Sequence, residues 1–216
     1  MRHPERVAGL VFASGGSGSE PTQRERFVRD ANEMADMMTP QGIGPLVEGL
    51  SYGATRVQLL DKDPRAWGEF RQHLSEHSVQ GAALTMRNYQ GRRPSIQDFE
   101  ARLRELTVPT LIVVGDEDDP VIETSLFLKR VMPAAGMVMF PKTGHAVNLE
   151  EPAAFNAALK DFFGAVERDN WGQRNPLARP NRPRARGLTP ALPGAPWPPR
   201  TVPCRRPHRP TSGTAG

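Results

Sequence analysis

Asp118 and His145 are the two residues whose types and placement could do chemistry together. Each follows a short apolar run and a glycine. Thr110-Leu111-Ile112-Val113-Val114-Gly115 leads to Asp118, and Met137-Val138-Met139-Phe140 leads through Gly144 to His145. Such runs read as buried strands. In a parallel sheet the loops that follow two strands open at the same edge. A carboxylate there can hydrogen-bond one ring nitrogen of the imidazole and fix its tautomer. The other nitrogen is then free to act as a general base toward a hydroxyl nucleophile. Taken singly, an acid-rich turn and a loop histidine are ordinary surface features. As an ordered pair at two strand ends they read as part of an active site. Asp116, Glu117 and Asp119 are the neighbouring acids that could be confused with Asp118.

A nucleophile is harder to find. Gly49-Leu50-Ser51-Tyr52-Gly53 matches Gly-x-Ser-x-Gly in letters and precedes both Asp118 and His145. A nucleophile elbow needs a buried strand leading in and a small-residue helix leading out. Upstream of Ser51 lie Pro45 and Glu48, which do not make a core strand. Ser51 therefore reads as part of a helical region, with an active hydrolase built on Ser51 as an alternative. Ser17, in Gly15-Gly16-Ser17-Gly18-Ser19, misses the last glycine of the pattern, and the lysine of a phosphate-binding loop is absent. The histidines are His3, His73, His77, His145 and His208. Only His73 and His77 have helical spacing, and a surface pair is the plain reading. No metal and no cofactor are expected.

Val7 to Ala13 is an apolar run that reads as a strand covered on both faces. It stops at the glycine-serine loop 14–19. Helices are predicted over 21–39, 43–50, 64–76 and 79–90, with Pro40-Gln41-Gly42 breaking the first pattern. Ser95 with Asp98 makes a capping box for a short helix over 95–104. Strand 110–114, helix 120–131, strand 136–140 and a helix opened by Pro152 follow. Asn148 to Glu151 has capping-box spacing ahead of that last helix. Strand alternating with helix argues for a parallel α/β sheet. The long helical stretch between the first two strands reads as a cap.

Bulk composition separates the chain into two parts. It has 216 residues with 20 Gly and 22 Pro, too many for a fully packed chain. Residues 168–216 hold 11 of those prolines and 10 Arg against one acid, Asp169, and carry +9. The whole chain carries +4, which leaves −5 on residues 1–167. The pI near 9.7 thus belongs to the tail. The expected organisation is a domain over 1–167, with a cap over roughly 20–105, and a disordered basic tail over 168–216. That tail could meet polyanions by charge alone, and a non-catalytic interaction protein is a second alternative. Nothing in it points to specific nucleic-acid recognition. Cys204 is the one cysteine, so an intrachain disulfide is excluded. With no signal-type segment and no run of membrane-spanning length, a cytoplasmic location is expected.

Residues 108–163 resemble the C-terminal part of the α/β-hydrolase fold. The matching pieces are Val108-Pro109-Thr110-Leu111 with Gly115-Asp116-Glu117-Asp118, then Thr143-Gly144-His145, then Asn148-Leu149-Glu150-Glu151-Pro152 and Phe155. His3 to Val11 resembles the strand that follows the nucleophile helix in that family. The resemblance implies that Asp118 is the triad acid and His145 the triad base. It implies a serine-dependent hydrolase acting on an ester, lactone or similar small acyl substrate. The family's nucleophile elbow would lie ahead of the strand at residue 7, which implies a partial fold, truncated and inactive as given. A first strand without an upstream neighbour also leaves a bare sheet edge, so self-association is expected.

Overall fold

Six consecutive residues, Thr110 to Gly115, are buried on both faces, which is why they show no polar alternation. The computed structural model describes residues 3–175 and Ala178. In chain order it has β1 (Leu10–Ala13), α1 (Arg24–Gln41), α2 (Gly44–Ser51), α3 (Val57–Lys62), α4 (Pro64–Ser75), α5 (Val79–Leu84), α6 (Glu100–Glu105), β2 (Thr110–Gly115), α7 (Asp119–Val131), β3 (Ala135–Phe140), α8 (Val147–Glu150) and α9 (Pro152–Glu167). The three strands form one parallel sheet in the order β1-β2-β3. Leu10 pairs with Thr110 on one side of β2, and Thr110 through Gly115 pair with Ala135 through Phe140 on the other.

The period of two in β2 sends alternate side chains to two cores. Leu111 and Val113 pack with Phe140, Val147 and Phe162, covered by Phe155 and Leu159 of α9. Ile112 points the other way, onto Leu128, Val131 and Met132, with Leu103 of α6 nearby. Helices thus cover both faces, as strand-helix alternation predicts. A third cluster lies in the helical insertion, where Met38, Leu46, Val47 and Leu74 pack together. The insertion has a core of its own, so it can be a unit rather than a loop.

Several elements differ from the sequence expectation. The first strand is shorter than the run Val7–Ala13, because Pro4–Arg6 makes a 3-10 turn and only Leu10–Ala13 pair with β2. Its residues are half-buried or exposed rather than covered on both faces, since β1 has one strand neighbour among the described residues. Helix α1 runs through Pro40 to Gln41. Pro40 sits in the last turn, and the helix ends where Gly42 adopts φ +71°, a conformation that favours glycine. The expected box at Asn148 is absent, since no side chain caps α9. The box at Ser95 is present: Asp98 Oδ2 accepts the Ser95 N–H at 2.9 Å, and Ser95 Oγ accepts the Gln97 N–H at 3.0 Å.

Trp171 lies in the stretch assigned to the tail, yet it docks on the sheet domain. Its Nε1 donates to the Ala134 carbonyl at 2.9 Å, and its ring meets Phe162 edge-on at 4.7 Å. Gly136 makes room, since a Cβ there would run into the indole. The rest of the expected basic tail, apart from residues 168–175 and Ala178, lies outside the described residues.

Candidate active site

The parallel register of β2 and β3 brings two loops to one edge of the sheet, and backbone contacts lace them together. The Asp116 N–H donates to the Phe140 carbonyl at 3.0 Å and the Glu117 N–H to the Thr143 carbonyl at 2.9 Å. Asp116 Oδ1 accepts the Thr143 N–H at 3.2 Å. Gly115 is required at the crossing: a Cβ there would overlap the carbonyl oxygens of Thr143 and Gly144. Close approach of the backbones is what lets two side chains on different loops meet.

Those side chains are Asp118 and His145. Asp118 stands at the N-cap position of α7 and is fully buried. Its Oδ2 lies 2.8 Å from His145 Nδ1. A carboxylate can only accept, so Nδ1 carries the proton and Nε2 is left as the basic nitrogen. The other acids of the turn have different partners. Asp116 holds the Thr143 amide, and Glu117 accepts from Gln58 Nε2 at 3.1 Å and faces exposed Lys142 at 3.5 Å. Asp119 is the first residue of α7. Of these four acids, Asp118 is the one whose carboxylate contacts His145 among the described residues.

The serines are placed elsewhere. Ser51 is the last residue of helix α2, not a turn after a strand. It is fully buried, and its Oγ bonds no group among the described residues. Its carbonyl accepts Trp67 Nε1 at 2.9 Å, which ties it to the helical core. Ser17 lies in the loop after β1, where its carbonyl accepts from Arg93. Neither hydroxyl hydrogen-bonds His145.

Sequence reasoning missed the residues that close over the pair. Thr55, Arg56, Gln58 and Lys62 come from α3 and the turn before it. Six residues are too few for helical periodicity to register, although the stop is legible: Asp63 caps α4, accepting the Ala66 N–H at 3.0 Å. The His145 N–H donates to the Thr55 carbonyl at 2.6 Å. Burial lowers the Arg56 guanidinium below its ordinary value, while the charges of Asp118 and Glu150 pull it back up. Arg56 is thus a partly desolvated cation beside the acid of the pair.

The cavity of about 490 Å³ lined by Leu10, Phe12, Ile96, Leu103 and Leu128 is apolar and lies beside β1, and its residues include neither Asp118 nor His145.

Residues 1–158 match the model of the alpha/beta hydrolase family. A Bacillus subtilis (strain 168) protein, provisionally named 2-succinyl-6-hydroxy-2,4-cyclohexadiene-1-carboxylate synthase, is 25% identical over 173 residues, spanning 77% of this chain and 60% of that protein. A 2-hydroxy-6-oxononadienedioate/2-hydroxy-6-oxononatrienedioate hydrolase of Cupriavidus pinatubonensis is 27% identical over 180 residues, spanning 76% of this chain and 56% of the relative. Among solved structures, MenH from S. aureus superposes with a TM-score of 0.67 at 21% identity, covering 74% of this chain and 60% of that one. A thermophilic esterase from Thermogutta terrifontis superposes with a TM-score of 0.64 at 21% identity, covering 76% and 58%. The chain therefore spans somewhat under two thirds of the length of these relatives. With its parallel sheet, its helical insertion and a family match over most of its length, the chain belongs to the alpha/beta hydrolase family.

Proposed function

We propose that Asp118 and His145 are the acid and base of a serine-type acyl hydrolase. The observation that carries this is the 2.8 Å contact between a fully buried carboxylate and a histidine whose ring stays partly open to solvent. In this reading His145 Nε2 takes the proton of a serine hydroxyl as its oxygen adds to an acyl carbon. The proton then passes to the departing alcohol oxygen. Water repeats the cycle, releasing the carboxylic acid, while backbone amides hold the oxyanion. The substrate class is a small ester, lactone or related acyl compound, in keeping with the hydrolase and esterase names among the relatives. The dicarboxylate in the printed substrate name of the Cupriavidus pinatubonensis hydrolase suits Arg56, a cation that feels the charge of Asp118. The setting is the cytoplasm, where the lone Cys204 stays a thiol.

In this reading neither Ser51 nor Ser17 supplies the nucleophile, and residues 1–216 by themselves are expected not to turn over substrate. Ser51 is too deeply buried in its helix to serve. The test is a p-nitrophenyl ester assay on the purified chain, with fluorophosphonate labelling in parallel. The expected result is background hydrolysis and no labelled serine. Turnover that disappears in Ser51→Ala would overturn this reading of the nucleophile.

A further inference from the structure

We infer that Glu150 is a positioning residue for His145, and that Lys62 of the helical insertion holds Glu150 in that role. The inference rests on reading His145 as the base and adds the group that fixes its backbone. Three consecutive amides, those of Gly144, His145 and Ala146, are all tied. Glu150 Oε2 accepts the Gly144 N–H at 2.7 Å, and Oε1 accepts the Ala146 N–H at 3.1 Å. Between them, the His145 N–H donates to the Thr55 carbonyl at 2.6 Å. The histidine backbone is thus gripped on both sides by one carboxylate and from above by the insertion.

The chemistry requires a carboxylate at this place. Two amide hydrogens converge on two separate oxygens. Glutamine would offer one acceptor and turn an N–H toward the other amide, leaving a buried donor unpaired. The Glu150 side chain is 0% exposed, which is costly for a charge unless it is compensated. Compensation comes from the insertion. Lys62 Nζ lies 3.8 Å from Glu150 Oε2 and also binds Glu151 Oε1 at 2.6 Å and Thr143 Oγ1 at 3.0 Å. Arg56 adds its positive charge nearby. Gly144 completes the fit, since a Cβ there would overlap the Thr55 carbonyl. The insertion is therefore latched onto the loop that carries His145. A shift of α3 alters the orientation of the imidazole without touching it.

Nuclear magnetic resonance of the full chain with labelled histidine tests this without any turnover. The His145 signal is assigned by its loss in His145→Gln. The readouts are the downfield Nδ1 proton, its exchange with solvent, and the tautomer seen in the ring nitrogen shifts. In Glu150→Gln the Nδ1 proton is expected to exchange about tenfold faster, the scale of one lost charge-assisted hydrogen bond. Lys62→Met is expected to move it in the same direction, and Lys62→Arg to restore it. A purely structural role would lower the melting temperature and leave the ring signal in place. Unchanged exchange in Glu150→Gln, with the signal lost in Asp118→Asn, overturns the positioning role and leaves the acid-base pair standing. A signal unchanged in Asp118→Asn overturns the pair itself. Should Glu150→Gln not fold, Lys62→Met decides, and unchanged exchange there overturns the inference.

Discussion

Asp118 is distinguished from Asp116, Glu117 and Asp119 by where its carboxylate ends up, because the four acids have the same chemistry. Register and the N-terminus of α7 bury it against His145, while Asp116 bonds the Thr143 amide, Glu117 meets the side chains of Gln58 and Lys142, and Asp119 faces solvent. Ser51 is the converse case, a residue whose local sequence pattern suggests chemistry and whose surroundings deny it. Its Oγ is buried without a hydrogen bond among the described residues. Removing an unpaired buried hydroxyl costs little or helps. We expect Ser51→Ala to leave urea unfolding unchanged or to raise stability by up to about 1 kcal/mol. A loss beyond that would show that the hydroxyl has a partner worth keeping.

Among the elements, α3 and α9 carry the most consequence. Short α3 brings Gln58, Lys62 and the preceding turn onto the two strand-end loops, so the insertion is bound to the site by polar contacts rather than by the apolar clusters. Helix α9 covers one face of the sheet, and Trp171 seals its far end against Phe162. Truncating a packed tryptophan removes both area and a hydrogen bond. Trp171→Ala is expected to cost about 3 kcal/mol, read from chemical denaturation. A change within experimental scatter would mean that the domain ends before residue 168, as composition alone indicates.

For the molecule as a whole, the open question of stability lies at β1. This strand pairs with β2 on one side only among the described residues, and its residues are half-buried or exposed. Beside it lies the apolar cavity lined by Leu10, Phe12 and Leu103. An edge strand next to uncovered apolar surface recruits another chain. We expect the purified protein to self-associate, its sedimentation-average mass rising with concentration. A monomer of constant mass and cooperative melting would refute this.

Much of this protein was legible in the sequence. The apolar runs over 110–114 and 136–140 marked β2 and β3, and the spacing of Phe155, Leu159 and Phe162 marked α9, because burial and periodicity are local properties of a chain. The same logic placed Asp118 and His145 at one sheet edge, since parallel strands deliver their loops to the same side. The short helix α3, the docking of Trp171 and the bracket of Glu150 around His145 were not legible. Each depends on contacts between residues far apart in the chain or on a helix too short to show a period. What the sequence alone determined was the kind of elements and the two side chains that meet. Only the tertiary structure decided what holds the histidine in place, because a carboxylate finds its amides through the fold and not through its neighbours in sequence.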